Sequence, residues 1–161
     1  MLISFDQLPE TSRIWIYQAN RSLTEKELED IKIALDGFVE EWTAHGSNLQ
    51  AGYELRYKRF IVIGLDQSHA DASGCSIDAS VHFIQSLEKK YGVDLLDKMN
   101  VTYRQGEYIA YKPLSEFKKM AKDRAISTST VVFNNLVANI QEYRDHWEVP
   151  AGESWHSRFV K

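Results

Sequence analysis

Apolar positions along the chain follow two rhythms, one helical and one alternating, and the elements follow from them. Between Thr24 and Trp42, the residues Leu28, Ile31, Leu35, Phe38, Val39 and Trp42 recur at three- and four-residue steps. On a helix that spacing gathers them into one stripe. Thr24 and Glu27 open the stretch as a capping box, in which hydroxyl and carboxylate each accept a bond from an otherwise unpaired amide. His45-Gly46 marks its end. A second helix is expected over 77–91, with Ile77, Val81, Ile84, Leu87 and Tyr91 inward and Gly92 closing it.

The strands read differently. Arg13-Ile-Trp-Ile-Tyr-Gln18 is rich in β-branched and aromatic residues and reads as a strand. Tyr53, Leu55 and Tyr57 alternate with Glu54, Arg56 and Lys58, which suits a half-buried strand. Phe60 to Leu65 is almost continuously apolar and is expected to be covered on both faces. The two runs abut at Lys58-Arg59. A tight hairpin is expected there, although neither residue is a favoured turn type; one long bent strand is the alternative. Val93 to Met99 can add a helical turn. Val101–Arg104 and Glu107–Tyr111 flank Gln105-Gly106 and predict a second hairpin, and Pro113 can start a helix over 114–122.

From Ser127 onward Phe133, Leu136, Val137, Ile140, Tyr143 and Trp147 again keep helical spacing. Asn134, Asn135 and Asn139 weaken that helix, so two shorter ones are the alternative. The tail, 148–161, carries Trp155 and Phe159. Each aromatic can bury ~150–250 Å², so the tail is expected to dock on its own domain or on a partner. The order strand–helix–strand–strand–helix–strand is that of a split βαβ. The expectation is an α+β protein: an antiparallel ferredoxin-like sheet with an extra strand and a helical C-terminal extension. It would form one domain over 1–161, with a core at 1–111 and the extension and tail at 112–161. Helices would cover mainly one face of the sheet.

Composition narrows the function classes. At 161 residues and 43% hydrophobic, the chain can bury one core. A net charge of -4 disfavours general binding to a phosphate backbone, so nucleic acid is not the expected partner. No apolar run reaches the ~20 residues of a membrane helix, and the N-terminus lacks the pattern of an export signal. A lone cysteine forms no internal disulfide. A cytoplasmic location without membrane contact is the default. The phosphate loop Gly-x-x-x-x-Gly-Lys-Ser/Thr is absent, as is Gly-x-Gly-x-x-Gly. No cofactor is implied.

The candidate chemistry lies between the strand ending at Asp66 and the second helix. This loop carries Asp66, His69, Asp71, Ser73, Gly74, Cys75 and Ser76. Amides at a helix N-terminus point outward unpaired and carry partial positive charge, and such an end binds anions. A thiol there can have its pKa lowered from ~8.5 into the range ~3.5–7.5. The candidate ligand-binding residues are therefore Asp66, His69, Ser73, Gly74, Cys75 and Ser76. On a helical wheel Cys75, Asp78 and His82 fall within about 60°, a set with the ingredients of nucleophilic catalysis. Against this, Cys75 and His82 stand ~10 Å apart along the axis, and their stripe points away from the apolar one. The plain alternative is structural: Ser73 or Ser76 caps the helix, Asp78 and His82 form an i,i+4 pair, and Cys75 packs as a small residue. Asp66, His69, Asp71 and Cys75 match no zinc spacing, so no metal is expected.

Two further features have bland readings close at hand. Tyr53, Tyr57 and Phe60 interleave with Arg56, Lys58 and Arg59, as on sheets that stack single-stranded RNA; an ordinary hairpin with one charged face explains the same pattern. Lys112, Lys118, Lys119, Lys122 and Arg124 form a basic stretch, which on a helix usually faces water.

Several segments together carry a resemblance. They are Arg13–Gln18, Trp42-Thr-Ala-His-Gly46, Gly74-Cys-Ser-Ile-Asp78, Lys90–Asp97, Val132-Phe-Asn-Asn-Leu-Val137, Trp147-Glu-Val-Pro-Ala151 and Ser154-Trp-His156. The chain resembles, over nearly its whole length, a family of uncharacterised bacterial proteins common in the Bacteroidetes and often labelled "ABC transporter ATPase". The residues that such a label requires are missing. The resemblance implies an intact stand-alone protein and carries no catalytic residues. The leading expectation is a cytoplasmic domain that binds a small ligand or anion, or a partner, at the loop 66–76 and the start of the second helix, with the tail or an open sheet edge available for homodimerisation. A thiol enzyme with Cys75 as nucleophile, oriented by Asp78 and His82 or by His69, is the alternative. A single-strand RNA binder using Tyr53, Arg56, Tyr57 and Arg59 is the third.

Overall fold

A computed structural model describes all residues, 1–161. The protein is α+β with antiparallel sheets, and the chain divides into two compact units, Met1–Leu96 with Ala138–Gln141, and Asp97–Val137 with Glu142–Lys161. No helix is long and apolar enough to cross a membrane.

The first unit holds β1 (Arg13–Gln18), α1 (Glu25–Glu41), β2 (Thr43–Ala44), β3 (Ser47–Asn48), β4 (Gln50–Arg56), β5 (Phe60–Asp66) and α2 (Gly74–Tyr91). Its main sheet runs β1-β5-β4, antiparallel throughout, with Arg13 opposite Leu65 and Gln50 opposite Asp66. The continuous apolar run of β5 is buried on both faces, since its side chains alternate sides. Ile61, Ile63 and Leu65 pack with Ile31, Leu35 and Val39 of α1 and with Ile84 and Leu87 of α2. On the other face, Gly64 lies against Leu8 and Phe5 of the N-terminal lead-in. The hairpin between β4 and β5 forms as expected: Tyr57 and Lys58 both sit at φ 55°, and Arg59 N–H donates to the Arg56 carbonyl at 3.0 Å. α1 starts with the expected Thr24–Glu27 box, and Arg21 grips the Glu27 carboxylate with both guanidinium nitrogens at 2.8 and 2.7 Å.

A single ferredoxin-like sheet requires its fourth strand beside β1. The segment expected there does not take that place. The β1 edge is met instead by Ala138–Ile140: Ile14 N–H donates to the Ala138 carbonyl, Ile140 N–H to the Ser12 carbonyl, and Arg13 and Asn139 form an antiparallel bridge. The far edge is similarly covered, because Ile3 N–H and the Met1 carbonyl bond the backbone of Ala51 in β4. Unpaired strand edges seek backbone partners, and both edges of this sheet find them in short segments remote in sequence.

The expected fourth strand heads a second sheet. The second unit holds β6 (Asn100–Gln105), β7 (Tyr108–Pro113), α3 (Leu114–Lys122), β8 (Val131–Phe133), most of α4 (Ile140–His146) and β9 (Glu148–Pro150), with strand order β7-β6-β8-β9. The predicted hairpin about Gln105-Gly106 and the helix after Pro113 are present. The helical extension expected from Ser127 is a correction. Val131, Val132 and Phe133 form a strand paired to Tyr103 and Val149, as their β-branched and aromatic side chains favour. Asn134 then breaks any helix by accepting from Leu136 N–H with its side chain and donating its own N–H to the Trp147 carbonyl. Helix resumes only at Ile140. The tail docks on its own unit: Trp155 and Phe159 pack on a core of Tyr103, Phe117, Ile126 and Val132. The second unit begins at Asp97.

Candidate functional site

The start of α2 is built by two serines. Ser73 is the N-cap; its Oγ accepts from Ser76 N–H at 3.1 Å, and Ser76 Oγ accepts from Ser73 N–H at 2.6 Å. The helix therefore begins at Gly74, a turn earlier than the apolar stripe suggests. Its third amide is satisfied by the cap, and Ile77 N–H closes on the Ser73 carbonyl at 3.0 Å. The amides of Gly74 and Cys75 have no acceptor in the protein.

The inward face of α2 is rotated from the expected one. Ser76, Ser80, Ile84 and Leu87 are buried, whereas Ile77 and Val81 are only half-buried. The reason is Trp42, the C-cap of α1, whose indole N–H donates to the Ser76 carbonyl at 2.9 Å in a buried contact. Small side chains at positions 76 and 80 let the bulky aromatic layer approach; the Tyr17 hydroxyl is hydrogen-bonded to Ser80, and burial pushes the Tyr17 pKa up. Phe38 stacks on Phe83 at 4.6 Å between centroids, and Trp15 meets Trp42 edge-on. α1 and α2 thus join through aromatic rings near the end that carries Cys75.

Where they join, an open cleft of about 430 Å³ remains. Phe38, Glu41 and Trp42 line it from the end of α1, Thr43 and His45 from the β2–β3 hairpin, and Cys75, with its neighbours Ser73, Ser76 and Ala79, from α2. Cys75 is exposed. His45 and Gly46 make the hairpin turn, with φ of 50° and 79°, so the sequence signal read as a helix end also projects an imidazole beside the thiol-bearing cleft. The volume lies within the ~300–1,000 Å³ typical of small-molecule sites.

The sequence-derived candidates separate into three groups. Ser73, Cys75 and Ser76 line the cleft, with Gly74 between them at the first helical position. Asp66 and His69 pair with each other at 3.7 Å, and Asp66 also accepts from the amide and hydroxyl of Ser68, which lower its pKa. Neither lines the cleft; Asp71 is engaged by Gln67 and the Ala72 amide. Asp78 and His82 are exposed on the same side of α2 as Cys75, but no hydrogen bond or ion pair joins the three. No three His, Cys, Asp or Glu side chains converge into a metal-binding group. Among the residues of the RNA reading, Tyr53 packs against the first core, and its hydroxyl donates to Asp36; burial and this carboxylate push its pKa up. Arg59 donates to the Ala19 carbonyl and Arg56 pairs with Glu54. Trp42, Thr43 and His45 were not foreseen as site residues. Only the fold brings them to Cys75, and no local pattern in the chain announces it.

Compared with known proteins, the chain matches no family model, no curated protein and no solved structure.

Proposed function

We propose that the first unit is a cytoplasmic small-ligand-binding module, and that the cleft at the N-terminus of α2 receives an anionic group of the ligand. The fold reading that goes with it is a ferredoxin-like core reduced to three paired strands, β1-β5-β4, with α1 and α2 on one face. One observation carries the binding reading: the cap closes the third amide of α2 and leaves those of Gly74 and Cys75 without a protein acceptor, next to a cleft of small-molecule size. An anion there accepts from free N–H groups at the positive end of a helix. Glu41 lines the same cleft, which favours ligands that also carry a hydrogen-bond donor.

Gly74→Pro tests this directly. Proline is tolerated at the first helical position, Ser73 already has the extended backbone that precedes proline (φ -89°, ψ 168°), and open space surrounds the site of the missing Cβ. The variant should keep or slightly raise its thermal midpoint while losing at least several-fold in affinity for small carboxylates and phosphates, read by calorimetry. Unchanged affinity contradicts the proposal.

The thiol-enzyme reading rests on the exposure of Cys75 at the cleft. A thiol-reactive probe titrated against pH distinguishes it: a primed nucleophile labels with an apparent pKa clearly below ~8.5, and sluggish labelling without a low-pH step removes it.

A further inference from the structure

We propose that the second unit carries a separate site for a small, multiply charged phosphate compound, in the cleft between the end of α3 and the chain's last turn. That cleft measures about 680 Å³ and is lined by Lys122, Arg124 and Lys161 together with the apolar Ala121, Ile126 and Phe159. Its size falls in the ~300–1,000 Å³ range of small-molecule sites.

The charge distribution is lopsided. Residues 116–130 and 153–161 carry Lys118, Lys119, Lys122, Arg124, Arg158 and Lys161 against Glu116, Asp123 and Glu153, in a chain whose net charge is -4. None of the six cations has a carboxylate partner. Cations left unneutralised around a concave surface raise its positive potential and favour a multivalent anion. Lys118 and Arg158 lie over the Phe159 ring at 5.0 and 5.9 Å from its centroid, so their charges are gathered beside the cleft by a shared aromatic surface. Interaction with the helix dipole accounts for Lys119 and Lys122 in the last turn of α3. It does not account for Arg158 and Lys161, which a different segment brings to the same place.

Phosphate esters fit this set best, because lysine and arginine bond their oxygens through charge-assisted contacts and arginine does so in bidentate fashion. A compact ligand is favoured over a nucleic acid strand because the patch is confined to one cleft on an acidic chain.

The test uses the full chain and inorganic pyrophosphate, followed by calorimetry at low and moderate salt. Saturable one-site binding is expected, weaker at the higher salt and stronger than that of monophosphate. The double variant Lys122→Gln/Arg124→Asn should bind at least tenfold more weakly. Asparagine is chosen because Arg124 sits at φ 63°, a left-handed conformation asparagine tolerates. Lys161→Gln should weaken binding in the same direction and decides the matter if the double variant fails to fold. Gly74→Pro should leave this affinity untouched. Absence of saturable binding, or wild-type affinity in the lysine and arginine variants, overturns the proposal. So does tight binding of mixed-sequence single-stranded RNA that pyrophosphate fails to displace.

Discussion

Gly52 and Gly64 face each other across β4 and β5, and neither has room for a side chain. A methyl group on Gly64 would come within 2.8 Å of Leu8 Cδ1 and 3.2 Å of Phe5 Cε2, while one on Gly52 would meet the Ile3 carbonyl. The pair makes room for the N-terminal lead-in to lie on the sheet. Gly64→Ala should destabilise the first unit by about 1–3 kcal/mol through overpacking, and Gly52→Ala by more, since backbone cannot move aside as a leucine tip can. Urea unfolding measures both; equal, negligible losses would contradict this packing. In the second unit the decisive single residue is His156. It is fully buried between Phe117 and Trp155, with Nδ1 at 2.6 Å from Ser154 Oγ and Nε2 without a partner. Burial pushes its pKa down to about 4 from 6.5, so between these values the unfolded chain binds more protons than the folded one. Stability is then full above about pH 6.5 and falls as the pH drops toward 4, by on the order of 3 kcal/mol from this group. Unfolding measured at pH 7 and pH 4.5 should show the loss, and His156→Gln should flatten that dependence.

Among the elements, the β4–β5 turn is held by its surroundings against its own residue preferences. Tyr57 and Lys58 occupy left-handed backbone, which costs about 1–2 kcal/mol per non-glycine residue. The turn persists because Leu23 N–H donates to the Lys58 carbonyl, Ala19 N–H to that of Arg59, and Lys58 pairs with Glu25. Tyr57→Asn should therefore stabilise the protein by about 0.5–1 kcal/mol, a rise in thermal midpoint that calorimetry can resolve; a fall would contradict the turn geometry. The sequence showed the hairpin, both main helices and the Thr24–Glu27 cap because each is written in neighbouring residues. It did not show the inward face of α2, because Ser76 and Ser80 are polar by type and become core residues only when Trp42 and Tyr17 cover them. It misread 127–139 as helix because Phe133, Val137 and Ile140, which belong to a strand end, a loop and a helix start, happen to fall at helical spacing.

At the level of the whole chain, strand pairing escaped the sequence for a related reason. An edge accepts any extended backbone, so nothing local says that β1 is bordered by Ala138–Ile140 and that β6 begins another sheet. A fragment ending at Leu96 would leave the Ile14 amide and the Ser12 carbonyl without these partners and remove Ile140 from beside Gly64. Such a fragment should unfold at lower urea than the first unit does in the full chain, or associate through the bared edge. A monomeric fragment of equal stability would show that Ala138–Gln141 contributes nothing to the sheet. The candidate cleft was half legible: the helix start and its thiol were visible in the chain, whereas Trp42, Thr43 and His45 reach it only through the packing of α1 on α2.

The proposed anion site at the head of α2 is tested most directly by nuclear magnetic resonance, with small carboxylates and phosphates titrated into the labelled full chain. The amide signals of Gly74 and Cys75 should move saturably, ahead of those of Ser73 and Ser76, whose N–H groups are already bonded within the cap. Signals at Gly74 and Cys75 that stay fixed to saturating anion would contradict the account.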